Sequence, residues 1–98
     1  MKCNFTELEN LKPINAAFTK ARHRITQIQY NAQFQLNQFP NFDNIVDIEC
    51  NNYLFFSDRK MVKNFICDLK NKSQVEGEWK GYGGTILNLN LKCEGNFF

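Results

Sequence analysis

The chain is short of what most function classes need. Among its 98 residues there is one histidine and one tryptophan, and the formal net charge is only +2. A single histidine, His23, leaves little material for a histidine-based triad or a histidine-rich metal site. The sequence pI near 8.4 is too mild to announce a nucleic-acid binder. Apolar runs are only a few residues long, as in Tyr53-Leu54-Phe55-Phe56, whereas a membrane-spanning helix needs about 20. No apolar h-region follows Met1, so no signal peptide is expected and the predicted location is cytoplasmic.

What is present is ordinary. Apolar residues make up 43% and charged residues 22%, as in globular proteins. The length predicts a single domain, residues 1–98, with one core.

Cys3, Cys50, Cys67 and Cys93 are each separated by tens of residues. Metal sites in small domains bring thiolates in close pairs, because one tight turn must aim two of them at one ion. No such pair exists, and neither metal nor cofactor is expected. An even count permits two disulfides, but with no export signal the expectation is free thiols acting as small hydrophobes. For the same reason Asn4-Phe5-Thr6 and Asn71-Lys72-Ser73, which match the N-glycosylation triplet, read as chance matches in an asparagine-rich chain.

Periodicity supplies the elements. Thr6 and Glu9 have capping-box spacing, and Phe5, Leu8 and Leu11 share a helical face, which predicts a short N-terminal helix ending before Pro13. Ile14, Ala17, Phe18 and Ala21 continue at helical spacing. From Ile28 the period drops to two: Ile28, Tyr30, Ala32, Phe34 and Leu36 alternate with Gln27, Gln29, Asn31, Gln33 and Gln35. A second strand places Val46, Ile48 and Cys50 on one side and Asp47 and Glu49 on the other. Asn51-Asn52 predicts a tight turn, followed by a short strand over Tyr53–Phe56.

Ser57 as N-cap, Asp58 in the first turn and the stripe Met61, Val62, Phe65, Ile66 and Leu69 predict the main helix, about 58–71. Val75, Gly77, Trp79 and Gly81 alternate with Glu76, Glu78, Lys80 and Tyr82. After a Gly83-Gly84 turn comes an alternating leucine strand, Thr85 to Cys93. The predicted fold class is α+β: a twisted antiparallel sheet of four to five strands, the main helix packed on one face, and a short N-terminal helical segment.

Little in the chain points to catalysis. His23 sits among Lys20, Arg22 and Arg24, with no serine or cysteine tied to it by any motif. Asp47/Glu49 and Glu76/Glu78 are carboxylate pairs at i, i+2 on solvated strand faces, a pattern that favours solubility or partner contact over acid–base work. Gly81-Tyr82-Gly83-Gly84 lacks the lysine and the following helix of a phosphate loop. No enzyme is expected. The outward-facing amides Gln27, Gln29, Asn31, Gln33 and Gln35 can both donate and accept, so they could meet a partner without strong charge.

Several segments together carry a resemblance. These are Asn31-Ala32-Gln33-Phe34-Gln35-Leu36, Tyr53-Leu54-Phe55-Phe56, the helix read over Ser57–Leu69, Val75-Glu76-Gly77-Glu78-Trp79, and Thr85-Ile86-Leu87-Asn88-Leu89-Asn90-Leu91. Over roughly residues 28–98 the chain resembles small immunity proteins of bacterial contact-dependent inhibition and related polymorphic toxin systems. That resemblance implies a cytoplasmic, non-enzymatic protein that binds a cognate toxin domain, such as a nuclease, and blocks its active site by occlusion. An acidic group of Asp43, Asp47, Glu49, Glu76 and Glu78 would suit a basic toxin cleft.

The residues expected to bind the partner are Asp47, Glu49, Glu76, Glu78, Lys80 and Tyr82. One alternative is a single-stranded nucleic-acid-binding module using Lys20, Arg22, Arg24 and sheet aromatics. Another is a phage-encoded inhibitor of a host defence enzyme. No membrane partner is expected.

Overall fold

The computed structural model describes residues 2–30, 40–69, 76–81, 84–85 and 91–95. One helix, α1 (Phe5–Leu11), precedes six strands: β1 (Ala16–His23), β2 (Gln29–Tyr30), β3 (Asn44–Cys50), β4 (Val62–Leu69), β5 (Gly77–Gly81) and β6 (Gly84–Thr85). They form one open antiparallel sheet in the order β2-β1-β3-β4-β5-β6. The coarse class, mostly sheet with a short helix, agrees with the sequence expectation. The arrangement of the helices does not.

The N-terminal helix forms as its apolar spacing predicts, with Phe5 and Leu8 buried. Its cap is Asn4 rather than Thr6: the Asn4 side chain accepts the Thr6 N–H at 3.0 Å. The helix lies against the sheet, with the rings of Phe5 and Phe18 4.8 Å apart. The Trp79 indole donates to the Asn4 carbonyl at 2.8 Å, which joins the helix start to β5.

The main helix expected over 58–71 is a correction: 62–69 is strand β4, paired with β3 on one side and β5 on the other. The sequence misleads because this strand is apolar on both faces. Phe65 and Cys67 point into the core, while Val62 and Ile66 lie on the opposite face, half-buried. Two apolar faces at period two also satisfy i, i+3, i+4. The expected helix cap is a turn. Asp58 accepts the Lys60 N–H at 3.1 Å, and Arg59 adopts a left-handed φ of 66°. The same aspartate chemistry serves caps and turns alike.

A second correction concerns Ile14, Ala17, Phe18 and Ala21, which belong to or precede strand β1. Phe18 pairs with Ile48 and Ala21 with Val46, with a register shift between them. The extra residue of this bulge lets both Phe18 and Ala21 face the core although they stand three apart, and so imitates a helix. Tyr53–Phe56 is likewise not a strand. Asn52 and Tyr53 have φ of 55° and 60° and form a turn, leaving Tyr53 79% exposed. Only Phe55 makes a bridge, to Glu94.

Of the long strand expected from Ile28, only Gln29–Tyr30 is described as strand, and Ile28 is exposed rather than buried; residues 31–36 lie outside the described residues. So does most of the leucine strand, 86–90, while Leu91–Cys93 is not strand.

The cysteines are the third correction. They are not free: Cys3 pairs with Cys67 and Cys50 with Cys93, at Cα separations of 5.8 and 5.7 Å. The first ties the arm before α1 to the central strand β4; the second ties the segment after β6 to the end of β3. All four side chains are buried, beside Leu8, Val46, Ile48, Phe65 and Trp79. The arm crosses β5 at Gly77, where a Cβ would lie 2.8 Å from Cys3 Sγ and 3.0 Å from the Lys2 carbonyl. Only glycine admits so close an approach.

Candidate interaction face

Register determines which side chains share a face, since directly paired residues in antiparallel strands project to the same side. Val46 pairs with Phe65, and Cys67 with Trp79, on the core side. On the other side, Ile45 pairs with Ile66, Asp47 with Asn64 and Glu49 with Val62; Ile66 pairs with Lys80 and Asp68 with Glu78. Ala17 and Arg22 of β1 pair with Glu49 and Ile45 and extend the same face. The result is a polar face with half-buried apolar side chains at the paired Ile45 and Ile66 and, on the far side of the Asp47–Asn64 pair, at Val62.

Two charge groups organise it. At the centre, Arg22 Nη1 stands 3.3 Å from Asp47 Oδ1, and the Asn64 side-chain amide donates to the same oxygen. Asp47 is only 8% exposed, so this carboxylate is committed to its two neighbours. Towards β5, Lys80 Nζ lies 3.4 Å from Asp68 Oδ2 and 4.0 Å from Glu78 Oε1.

Beside the face, at the start of β4, a cavity of about 140 Å³ is lined by residues including Asp58, Lys63, Asn64 and Gly81. The Lys63 ammonium, 2.8 Å from Asp58 Oδ2, holds the Asp58 carboxyl below its ordinary pKa, helped by the Lys60 backbone N–H.

Of the six residues expected to bind a partner, Asp47, Glu49, Glu78 and Lys80 share this face, with Glu49 and Glu78 towards opposite ends of β4. Asp47 differs from expectation in being buried rather than solvated. Glu76 is exposed just ahead of β5, and Tyr82 lies outside the described residues. Arg22, read from the sequence only as part of the basic alternative, also belongs to the face, and Asn64 and Asp68 were missed. The signal for Asn64 and Asp68 was present in the alternation Val62, Asn64, Ile66, Asp68, which a helical reading scatters. Asp43, the fifth member of the expected acidic group, is buried at the far end of β3, where Arg24 Nη2 stands 3.0 Å from its Oδ1.

The same ion pairs bear on the basic alternative. Two of its three cations, Arg22 and Arg24, already face carboxylates, and Lys20 alone is exposed without such a pair among the described residues. Tyr30 packs against the core, and its burial raises the phenol above its ordinary pKa. His23 accepts the N–H groups of Ile25 and Thr26 on Nδ1, both at 3.3 Å, and so fastens its own turn. With all four cysteines in disulfides, none offers a thiolate. No helix among the described residues is long and apolar enough to cross a membrane.

No protein-family model matches the chain, and no curated protein or solved structure matches it.

Proposed function

We propose that this chain is a non-enzymatic binding domain that lays the polar face of its sheet over a protein partner and blocks that partner by occlusion. The observation that carries the reading is that Glu49, Glu78 and Lys80 share one face with the half-buried Ile45, Val62 and Ile66 and with the fixed Arg22–Asp47–Asn64 group. Such a face has the character of an interface: half-buried apolar side chains to desolvate, charged positions among them, and a rigid scaffold below. The carboxylates of Asp47, Glu49, Asp68 and Glu78 outnumber the cations Arg22 and Lys80 among them, so the face favours a basic partner surface, as in the cleft of a nuclease.

The mode of action is the one implied by the resemblance to immunity proteins. The setting differs. Disulfides persist in oxidising compartments and are kept reduced in the cytoplasm, so two of them support a site of action outside the cytoplasm.

The test is site-specific photo-crosslinking in the source cells, with the reactive group placed in turn at positions 49 and 78. One and the same protein must be trapped from both positions. Its activity, measured on the purified protein, must fall to zero at one equivalent of added chain. No adduct, different adducts from the two positions, or an adduct partner that keeps working refutes the reading.

A further inference from the structure

The side-chain nitrogen of Asn4 takes part in neither the core nor the polar face. We propose that Asn4, in the triplet Asn4-Phe5-Thr6, is an N-linked glycosylation site that receives an oligosaccharide on its side-chain nitrogen. The inference rests on the reading that the chain matures in an oxidising compartment. While the thiols were expected to be free, the triplet carried no meaning. Two disulfides change that, because cysteine pairing and glycan transfer to asparagine share one compartment of the secretory pathway.

The geometry fits an acceptor. Asn4 is exposed and extended, with φ −81° and ψ 114°, and a non-proline residue follows it. Its atoms are divided in a way that leaves one of them spare. Oδ1 accepts the Thr6 N–H at 3.0 Å, and the backbone carbonyl accepts the Trp79 indole at 2.8 Å. Nδ2 has no partner among the described residues. A sugar on Nδ2 therefore leaves both hydrogen bonds in place, because a glycosylated amide keeps its oxygen and one N–H.

The donor required is an oligosaccharide carried on a lipid diphosphate. Nδ2 loses one proton to a base of the transferase and forms a bond to the anomeric carbon. The bond from that carbon to the diphosphate oxygen breaks, and the lipid diphosphate leaves.

The position also suits the proposed interface. Trp79, which reaches Asn4, projects to the core side of the sheet, and α1 covers that side. A glycan there stands on the opposite side from Glu49, Glu78 and Lys80 and leaves their face clear.

The test directs the full chain into the secretory pathway of eukaryotic cells behind a cleavable signal peptide. Asn71→Gln is included throughout so that one triplet remains. Intact mass is measured before and after an amidase that cleaves the asparagine–sugar bond. Thiols are counted by alkylating the denatured, unreduced protein.

The expected result is loss of one glycan's mass and no alkylated cysteine. Asn4→Asp keeps the helix cap, since aspartate and asparagine cap about equally well; it is expected to match the parent in thermal midpoint and to lose the mass shift. Thr6→Ala loses the shift as well. Paired thiols with no shift, or a shift that survives Asn4→Asp, overturns the site alone. Reactive thiols overturn the oxidising setting and the inference built on it, and the two failures are told apart by the alkylation count.

Discussion

Removing the Cys3–Cys67 disulfide tests the architecture most directly. The two cysteines are 64 residues apart, so the bridge closes most of the chain into one loop. In the chain-entropy account, a loop of that length restricts the unfolded state by about 4 kcal/mol at 25 °C. The Cys50–Cys93 loop, with a separation of 43, gives a similar figure of about 4 kcal/mol. Small domains have only about 5–15 kcal/mol of stability in all. Cys3→Ala/Cys67→Ala is therefore expected to lose about 2–4 kcal/mol, the lower end allowing for structure retained in the unfolded chain.

Urea titration followed by Trp79 fluorescence reads both parts of the effect. The midpoint falls, and the slope rises because the freed unfolded chain exposes more surface. Reducing both bridges at once is expected to leave no folded baseline at 25 °C. A loss below about 1 kcal/mol with an unchanged slope would show that the bridge does not constrain the unfolded state, and the reasoning would fail.

Three further outcomes follow from single contacts. Trp79→Phe keeps most of the buried ring but leaves the Asn4 carbonyl without its donor, and is expected to cost about 1–3 kcal/mol by urea titration. Gly77→Ala drives a methyl against Cys3 Sγ and the Lys2 carbonyl; a thermal midpoint lowered by several degrees, in line with about 1–3 kcal/mol of overpacking, is expected, and an unchanged midpoint refutes the close crossing. The Asp58 carboxyl has a depressed pKa when folded, so its contribution is present above the unfolded value and is lost as pH falls through the lower folded value. The pair with Lys63 is well exposed, so Asp58→Asn is expected to change stability by about 0.2–1 kcal/mol at neutral pH and to flatten that acid-side loss.

The parts of the fold that were legible are those in which the fully buried apolar residues keep to one face. Phe5 and Leu8 gave α1, and Val46, Ile48 and Cys50 against Asp47 and Glu49 gave β3. The turn was legible at Asn52, which takes a left-handed φ of 55°, while its second left-handed residue, Tyr53 at 60°, was read as strand. β4 and β1 were illegible for two separate reasons. β4 carries apolar side chains on both faces, and β1 carries a bulge that shifts its alternation by one residue. Both defects produce the three-and-four spacing of a helix. The candidate face was half legible as a consequence: its β3 and β5 members were found, while Asn64 and Asp68 were hidden inside a helix that does not exist.

The disulfides explain why that face can be polar. A sheet that holds its shape by apolar packing alone usually needs layers deep enough to bury large side chains. Here the buried apolar residues of the core side include two alanines, Ala16 and Ala21, and that side has the seven-residue helix α1 laid across it. Among the described residues, four of the thirteen buried apolar residues are the paired cysteines, so cross-links contribute to holding that side together. They tie the N-terminal arm and the segment around Cys93 down onto that one side. The opposite side of the same strands holds none of the apolar residues buried in that core among the described residues. It can carry Glu49, Glu78 and Lys80 in positions held rigid from beneath, which is the condition under which charged side chains discriminate between partners instead of merely keeping a surface wet.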